Sequence, residues 1–280
     1  MRARIYLLAT AVLFSTGGAA VKACSLSSWQ VAGLRSAFAV VALLIAARST
    51  RARWTLPVVV TGASQAATML LFVSSTKLTT AANAIFLQST APLYVLLLAP
   101  LLLREPVRRA DVVFLVAFVA GLCTIFLGDA SPTTTAPNPA VGNWLAAASG
   151  VTWAFTVIAY RWAARDPSTF GAALVAGNVL VALVALPLGW PIAGATPADW
   201  AIVAFLGVFQ IALSYALLAI GMREVPALEA SLLMLLEPVL NPVWTWLVHG
   251  ERVGTAALVG GAVVLVTTVV KTAVDARRVG

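Results

Sequence analysis

The chain has 280 residues, of which 61% are hydrophobic and 10% are charged, with a mean hydropathy of +0.97. Soluble globular domains normally carry about 25% charged residues, so the composition excludes a soluble protein and predicts an integral membrane protein. The net charge of +8 does not indicate nucleic-acid binding, because the cationic residues fall in alternate short loops and form no single patch.

Apolar segments long enough to cross a bilayer follow one another along the whole chain. A helical crossing needs roughly 17 to 25 apolar residues. The sequence predicts ten such helices, at 4–23, 29–47, 56–76, 79–103, 110–127, 142–161, 168–188, 198–221, 226–248 and 254–273. The predicted fold class is therefore an all-α membrane protein with ten transmembrane helices.

The first predicted helix also has features of a cleaved secretory signal, since a basic start precedes an apolar core with small residues near Ala20. Its removal would leave nine helices and break the internal repeat described below, so we interpret it as a transmembrane helix. The two cysteines, Cys24 and Cys123, lie near a helix end and inside a helix. No structural disulfide is predicted from them.

The charges of the loops predict the orientation. With the N-terminus placed inside, fourteen Lys and Arg residues fall on the cytoplasmic side, three (Lys22, Lys77 and Arg252) fall outside, and Arg35 lies within a helix. Cationic loops remain in the cytoplasm. Both termini are therefore predicted to be cytoplasmic, in a bacterial-type inner (plasma) membrane.

Two stretches of the chain resemble each other. STAPLYVLLLAPLLLRE (89–105) and LLEPVLNPVWTWLVHGE (235–251) each place a proline 13 residues before the final glutamate, and they are offset by 146 residues. Between them lies a polar, turn-rich segment. The sequence thus predicts a first repeat at 1–128 (helices one to five), an external linker at 129–141 and a second repeat at 142–280 (helices six to ten).

Five crossings in each repeat would make the second copy enter the membrane from the opposite side, so the two repeats are predicted to be inverted. Inverted repeats around a central site are a common construction of secondary transporters that work by alternating access. The alternative is a duplicated membrane scaffold that transports nothing.

The paired motifs APLYVLLLAPLLLREPV and EPVLNPVWTWLVHGERV, together with TWAF at 152–155, resemble the EamA domain of the drug/metabolite transporter superfamily, and the chain is similar to its YddG-type amino-acid exporters. The resemblance covers essentially the whole chain. It implies a ten-helix transporter in which helices one, three, four, six, eight and nine surround a central cavity, with helices five and ten at the periphery.

Pro92, Pro238 and Pro242 lie inside predicted helices four and nine. A proline lacks an N–H and frees the carbonyl four residues earlier, and in a bilayer such a carbonyl is tolerated only against protein or a wet cavity. We therefore expect bent, inward-facing helices with hinges at Pro92, Pro238 and Pro242. The alternative is a kink that serves packing alone.

Glu237 is the one glutamate near a predicted bilayer midplane, where an ionised carboxylate costs several kcal/mol or more. It is either a proton-coupling or substrate-amine site, or a protonated residue that bonds a neighbouring helix. Its counterpart in the first repeat is Ala91, so the repeat does not require an acid at this position.

Two cations lie near the predicted outer ends of helices. Lys22 and Arg35 can extend toward the outer surface. Alternatively, each is a substrate anchor or a coupling residue. For Arg35 this means either a bridge to the opposite repeat or an anchor for a substrate carboxylate. Glu251 is expected to brace its loop with Arg252.

Neutral polar residues also lie within the apolar spans. Hydrogen bonds between helices are the default explanation for them, whereas the family architecture implies that those on helices three, four, eight and nine line the cavity: Gln65, Gln88, Gln210, Ser214, Tyr215 and Asn241. Trp153 matches a tryptophan of the family's amino-acid exporters and suits an apolar or cationic solute. A second tryptophan of those exporters, before the helix-four proline, is replaced here by Ala91, which implies a roomier cavity.

An intramembrane enzyme is the rival from another class. All five aspartates fall in predicted loops or helix ends, the one histidine is at a helix end, and no phosphate loop, metal cluster or nucleotide fingerprint is present. No cofactor and no metal are predicted. A channel is a further alternative, but the sequence has no ring of charges or filter motif.

The sequence therefore predicts a carrier, not an enzyme, that exports small organic metabolites by alternating access. Amino acids with hydrophobic or aromatic side chains are the favoured substrates. The alternatives are proton-coupled efflux of lipophilic cations and export of a nucleoside or sugar derivative. One chain already contains both orientations of the repeat, so a monomer is expected. The bilayer and the small-molecule substrate are the predicted partners, and nucleic acid is not a predicted partner.

Overall fold

The computed structural model of the protein describes residues 2–46, 54–102, 109–128, 131–163, 167–225 and 227–279. These residues are mostly helical, in the order α1 (Arg2–Ser15), α2 (Gly17–Ala23), α3 (Ser28–Ala46), α4 (Leu56–Leu78), α5 (Ala81–Gln88), α6 (Ala91–Leu102), α7 (Arg109–Phe126), α8 (Pro139–Ala163), α9 (Pro167–Leu188), α10 (Pro197–Phe205), a π-helix (Leu206–Leu213), α11 (Ser214–Glu224), α12 (Ala227–Met234), α13 (Leu236–His249) and α14 (Thr255–Val279). The predicted basic loop segments 48–53 and 104–108 lie outside the described residues.

Eight helical stretches of the described residues are long and apolar enough to cross a membrane, namely Arg2–Ala23, Ser28–Ala46, Leu56–Leu78, Ala81–Leu98, Pro139–Ala159, Thr169–Leu188, Pro197–Met222 and Thr255–Val274. The predicted fifth span corresponds to a shorter apolar stretch in α7, Asp111–Phe126. The predicted ninth span is divided between α12 and α13. The all-helical membrane class is thus confirmed, whereas the full set of ten crossings stays a prediction.

Two spans are interrupted just before a proline. The helix ends at Gln88 and resumes at Ala91, and a second break at Leu235 separates α12 from α13. Pro92 and Pro238 follow these breaks and cannot donate a backbone N–H to the preceding turn. Both breaks lie where the sequence predicts bent helices, although hinge motion itself stays a prediction. Pro242 lies inside α13, which continues through it.

Two other irregularities are not anticipated from the sequence. The first span changes from α1 to α2 at Thr16, and the eighth contains eight residues of π-helix between α10 and α11. A π-helical insertion is rare and is frequently found at functional sites. Neither segment contains a proline, although Gly17 and Gly18 directly follow the change at Thr16 and glycine weakens a helix.

The helices α7 and α14 pack antiparallel. The Asp111 carboxylate lies 3.2 Å from Lys271 Nζ near one end of the pair, and Gly128 lies against Ala256 near the other. Between these ends a Cβ added to Gly260 would approach the Gly121 carbonyl oxygen to 2.6 Å. Glycine at both positions therefore allows the two backbones to come close together.

The main packing joins residues from the two predicted repeats. α4 packs against α8 and α9, α3 packs against α9, and α1 packs against α11. The outer surface carries large apolar side chains such as Ile45, Leu101 and Leu127, which are more than three-quarters exposed. Such a surface is stable against lipid and not against water.

A polar cluster ties the helix ends together at one end of the bundle, which we call the Lys22 end. Lys22 Nζ lies 2.9 Å from Glu251 Oε2, and both side chains are almost fully buried (3% and 4% exposed). Lys22 also donates to the carbonyls of Thr79, at 2.8 Å, and Thr135, and the Ala81 N–H donates to Glu251 Oε1 at 2.7 Å.

This cluster corrects two expectations. Lys22 does not extend to the surface, because a buried carboxylate and two carbonyls hold it within the bundle. Glu251 pairs with Lys22 and not with its neighbour Arg252. The sequence could not reveal this pairing, since the two residues are more than 200 positions apart.

The linker is also shorter than predicted. α8 begins at Pro139, three residues before the expected start, because proline is well suited to the first turn of a helix. The preceding residues fold back on the bundle, where the Asn138 N–H donates to the Leu78 carbonyl at 3.0 Å. Thr135 accepts the bond from Lys22 noted above.

Candidate functional site

A cavity of about 260 Å³ lies between the two halves of the chain. Many of the residues that the sequence singled out lie on its wall: Arg35, Gln88, Pro92, Trp153, Gln210, Tyr215, Glu237 and Pro238. These residues come from α3, α5, α6, α8, the π-helix, α11 and α13, so both halves contribute. We call this space the central cavity.

The remaining predicted cavity residues lie elsewhere. Gln65 is buried on α4 beside Gly177 of α9. Ser214 of α11 donates to the Phe209 carbonyl of the π-helix at 2.9 Å, and its own carbonyl accepts from Thr10 of α1. Asn241 packs against Gly18 on α2. These polar groups belong to helix contacts, which is the default explanation of a polar residue in an apolar span.

Two further candidates are also outside the central cavity. Pro242 lines a separate apolar groove with Phe86 and Trp246, and Lys22 belongs to the cluster at the Lys22 end. Neither is therefore placed to touch a ligand in the central cavity.

Glu237 reaches the central cavity from the start of α13. The break at Leu235 ends α12 at Met234, and both of these residues line the cavity with Glu237. Among the described residues Glu237 has no hydrogen-bond or ion-pair partner. Glu237 is partly buried and lines the central cavity together with residues of both halves.

Arg35 is held on the cavity wall by the contact of α3 with the π-helix. A Cβ added to Gly207 would lie 2.4 Å from the Arg35 carbonyl oxygen and 2.5 Å from Cβ of Phe38, so only glycine allows this approach. The Arg35 side chain is 4% exposed, and its Nε has no hydrogen-bond partner in the described part of the chain. A buried cation without a protein anion is costly in a membrane.

Aromatic rings cover another part of the wall. Phe14 meets Tyr215 edge to face, with ring centroids 5.1 Å apart and an interplanar angle of 65°. Phe170 packs on the same tyrosine at 6.4 Å, and Trp153 adds a further ring to the lining. These surfaces suit an apolar or cationic group.

Hydroxyl groups join α4 to α8 beside Trp153. Thr68 Oγ1 donates to Thr152 Oγ1 at 2.9 Å, Ser64 Oγ donates to the Thr152 carbonyl at 3.1 Å, and Thr156 Oγ1 donates to Ser64 Oγ at 3.0 Å. The bonds restrain the residue that precedes the tryptophan in the chain. Packing of this kind fixes where the indole projects.

Sequence reasoning missed some of the lining, including Phe14, Thr68, Phe72 and Thr268. The spacing of Ser64 and Thr68 on one face of α4, and of Thr152 and Thr156 on α8, was an available signal for the hydroxyl network. Phe14 and Phe72 carried no such signal, because phenylalanine is ordinary in any membrane helix.

The described lining can bind an organic molecule without covalent chemistry. It combines one guanidinium, one carboxylate, two glutamine amides and several aromatic rings. Among the described residues no group of three or more His, Cys, Asp and Glu is arranged to hold a metal ion.

Comparison with known proteins adds three findings. The EamA-like transporter family matches residues 1–127 and 140–272. An uncharacterized transporter of Methanothermobacter thermautotrophicus is 25% identical over 201 residues, which make up 70% of this chain and 58% of that protein. A chain of known crystal structure superimposes with a TM-score of 0.64 and 22% identity, covering 98% of both chains, and this likeness concerns the fold alone.

Proposed function

Because the chain belongs to the EamA-like transporter family, and so is a multi-pass membrane transporter, we propose that it exports small organic metabolites by alternating access. Amino acids with hydrophobic or aromatic side chains are the favoured substrates, as in the YddG-type exporters that the sequence resembles. The membrane in question is the bacterial-type inner membrane, with both termini in the cytoplasm and the chain acting as a monomer.

The central cavity is the observation that carries this proposal. It has a volume of about 260 Å³ and a wall that combines opposite charges, amides and the rings of Phe14, Trp153 and Tyr215. Sites for small organic molecules are typically apolar and aromatic with a few placed polar groups. An amino acid offers a matching combination of charged and apolar parts.

Inversion of the two repeats, 1–128 and 142–280, would give the alternating access. The 146-residue offset of the repeated motifs and the antiparallel packing of α7 on α14 support this arrangement. Two similar halves of opposite orientation can exchange conformations and so open one site to either side.

The Lys22 end supports a state that is closed on that side. Its buried ion pair joins α2 of the first repeat to the segment between α13 and α14 of the second. In the proposed cycle this contact breaks when the cavity opens toward the outside. The breaks before Pro92 and Pro238 are the proposed hinges.

Efflux of lipophilic cations in exchange for protons is the second candidate. The observation in its favour is Glu237, a carboxylate on the cavity wall that has no partner among the described residues and lies near aromatic rings that suit a cation. Here Glu237 would bind the proton and the drug in turn.

Counterflow in proteoliposomes distinguishes these candidates. Vesicles preloaded with an unlabelled amino acid are diluted into the same labelled compound, for a panel of amino acids and one lipophilic cation, with and without a pH gradient. We expect accumulation of labelled hydrophobic amino acids above protein-free vesicles.

Uptake of the lipophilic cation alone, driven by the pH gradient, would favour the second candidate. Accumulation of neither class would contradict both. Current at rates far above those of a carrier would indicate a channel.

A further inference from the structure

The central cavity contains two opposite charges that do not pair with each other. Arg35 lies on α3 in the first half of the chain and Glu237 on α13 in the second, and both line the cavity. In the described part of the chain neither side chain has an ion-pair or hydrogen-bond partner. Tyr215 lines the same cavity as these two charged side chains.

An unpaired guanidinium and an unpaired carboxylate are expensive to keep within the membrane-spanning part of a protein. Each needs a counter-charge, and the open space between them can hold one. A ligand with a carboxylate and an ammonium group would supply both at once. A ligand with a single charge would leave either Arg35 or Glu237 without a counter-charge.

We propose that Arg35 and Glu237 form a two-point site for the charged groups of a free α-amino acid, with the substrate carboxylate on Arg35 and the substrate ammonium on Glu237. The proposal rests on the proposed function and specifies its binding site. Arg35 is suited to its part because a guanidinium binds a carboxylate through two parallel hydrogen bonds.

The geometry of the rest of the wall agrees with this assignment. Phe14, Trp153 and Tyr215 lie on the same cavity as the two charges and provide an apolar surface for the amino-acid side chain. The charges thus select the class of substrate, and the rings set the preference among its side chains.

The test compares three ligands that share one side chain. Phenylalanine has both charged groups, phenethylamine lacks the carboxylate, and 3-phenylpropionate lacks the ammonium. Binding is measured by isothermal titration calorimetry with the purified full-length protein in lipid nanodiscs. We expect the unmodified protein to bind phenylalanine about 10- to 100-fold more tightly than either analogue, since hydrogen bonds to charged groups have about this effect.

Two variants should change these preferences in opposite ways. Arg35→Gln should abolish the preference for phenylalanine over phenethylamine and keep the preference over 3-phenylpropionate. Glu237→Gln should do the reverse. General damage to the fold would weaken the binding of all three ligands alike. Opposite changes of preference in the two variants are therefore specific to a two-point site.

Arg252→Gln and Glu224→Gln are matched controls, because they remove the same charges from exposed positions outside the central cavity. Both should leave the two preferences unchanged. If Arg35→Gln does not yield folded protein, Arg35→Lys replaces it, and it should reduce the preference over phenethylamine because the paired hydrogen bonds are lost.

The outcomes separate the site from the function. Amino-acid counterflow with preferences unaffected by either substitution would overturn the two-point site and leave the proposed export intact. An unmodified protein that binds phenethylamine as tightly as phenylalanine also overturns the site; if amino-acid counterflow is absent as well, the proposed substrate class fails with it.

Discussion

Single charged residues have very different surroundings in this protein. Lys22 and Glu251 are buried against each other, whereas the Arg4 and Glu229 side chains pair near the opposite end of the bundle with 57% and 35% of their surface exposed. Loss of one partner from a buried pair leaves an uncompensated charge, while an exposed pair contributes little. The two pairs therefore make different predictions.

We expect Glu251→Gln to lower the stability of the protein by about 3 to 5 kcal/mol, because it leaves the Lys22 ammonium buried beside a neutral group. The measurement is the apparent melting temperature of the detergent-purified protein, followed by fluorescence-detected size exclusion. Arg4→Gln is the control and should leave that temperature unchanged. Equal effects of the two substitutions would show that the Lys22 pair is not buried in solution.

At the scale of helices, glycine determines how closely neighbours approach. α7 and α14 come together at Gly121 and Gly260, where an added Cβ on Gly260 would lie 2.6 Å from a backbone oxygen. Since a backbone atom cannot rotate away as a side chain can, the helices must separate to accept a larger residue. Between membrane helices, such close packing is a main source of stability.

Gly260→Val is accordingly expected to destabilise the protein by about 1 to 3 kcal/mol, the usual cost of overpacking. Gly254→Val offers a matched control, because nothing lies within 4 Å of a Cβ added there. The same melting assay compares them. A Gly260→Val protein as stable as the control would mean that α7 and α14 are further apart than described.

The whole molecule is organised around the proposed inversion of two halves. Arg109 and Thr255 are the first residues of α7 and α14 and occupy equivalent positions in the two sequence repeats. If the repeats are inverted, these equivalent residues lie on opposite sides of the membrane. If they are parallel, both lie on the same side.

Labelling with a membrane-impermeant maleimide tests this arrangement. In intact cells Thr255→Cys should react, and Arg109→Cys should react only after permeabilisation. The native Cys123 is replaced by serine because it is exposed. Cys24 can remain, since burial raises the pKa of its thiol to about 11 and keeps it in the unreactive protonated form at neutral pH. Labelling of both variants from the same side would contradict the proposed inversion and the alternating-access mechanism that depends on it.

Much of the architecture follows from local sequence. Long apolar runs must become helices in a bilayer, because no water is present to satisfy an open backbone, and the eight candidate spans follow the predicted segments. The breaks before Pro92 and Pro238 are predictable for a similarly local reason, since a missing N–H acts on its own helix. The 146-residue offset is likewise a property of the amino-acid sequence alone.

The partners of polar side chains were decided only by the tertiary structure. Lys22, Gln65 and Asn241 looked like surface or cavity residues in the sequence, yet the fold places each of them in a contact between helices. Arg35 and Glu237 instead line one cavity without partners among the described residues. The sequence determines that a polar group in an apolar span needs a partner, whereas only the packing of distant helices determines whether protein or ligand provides it.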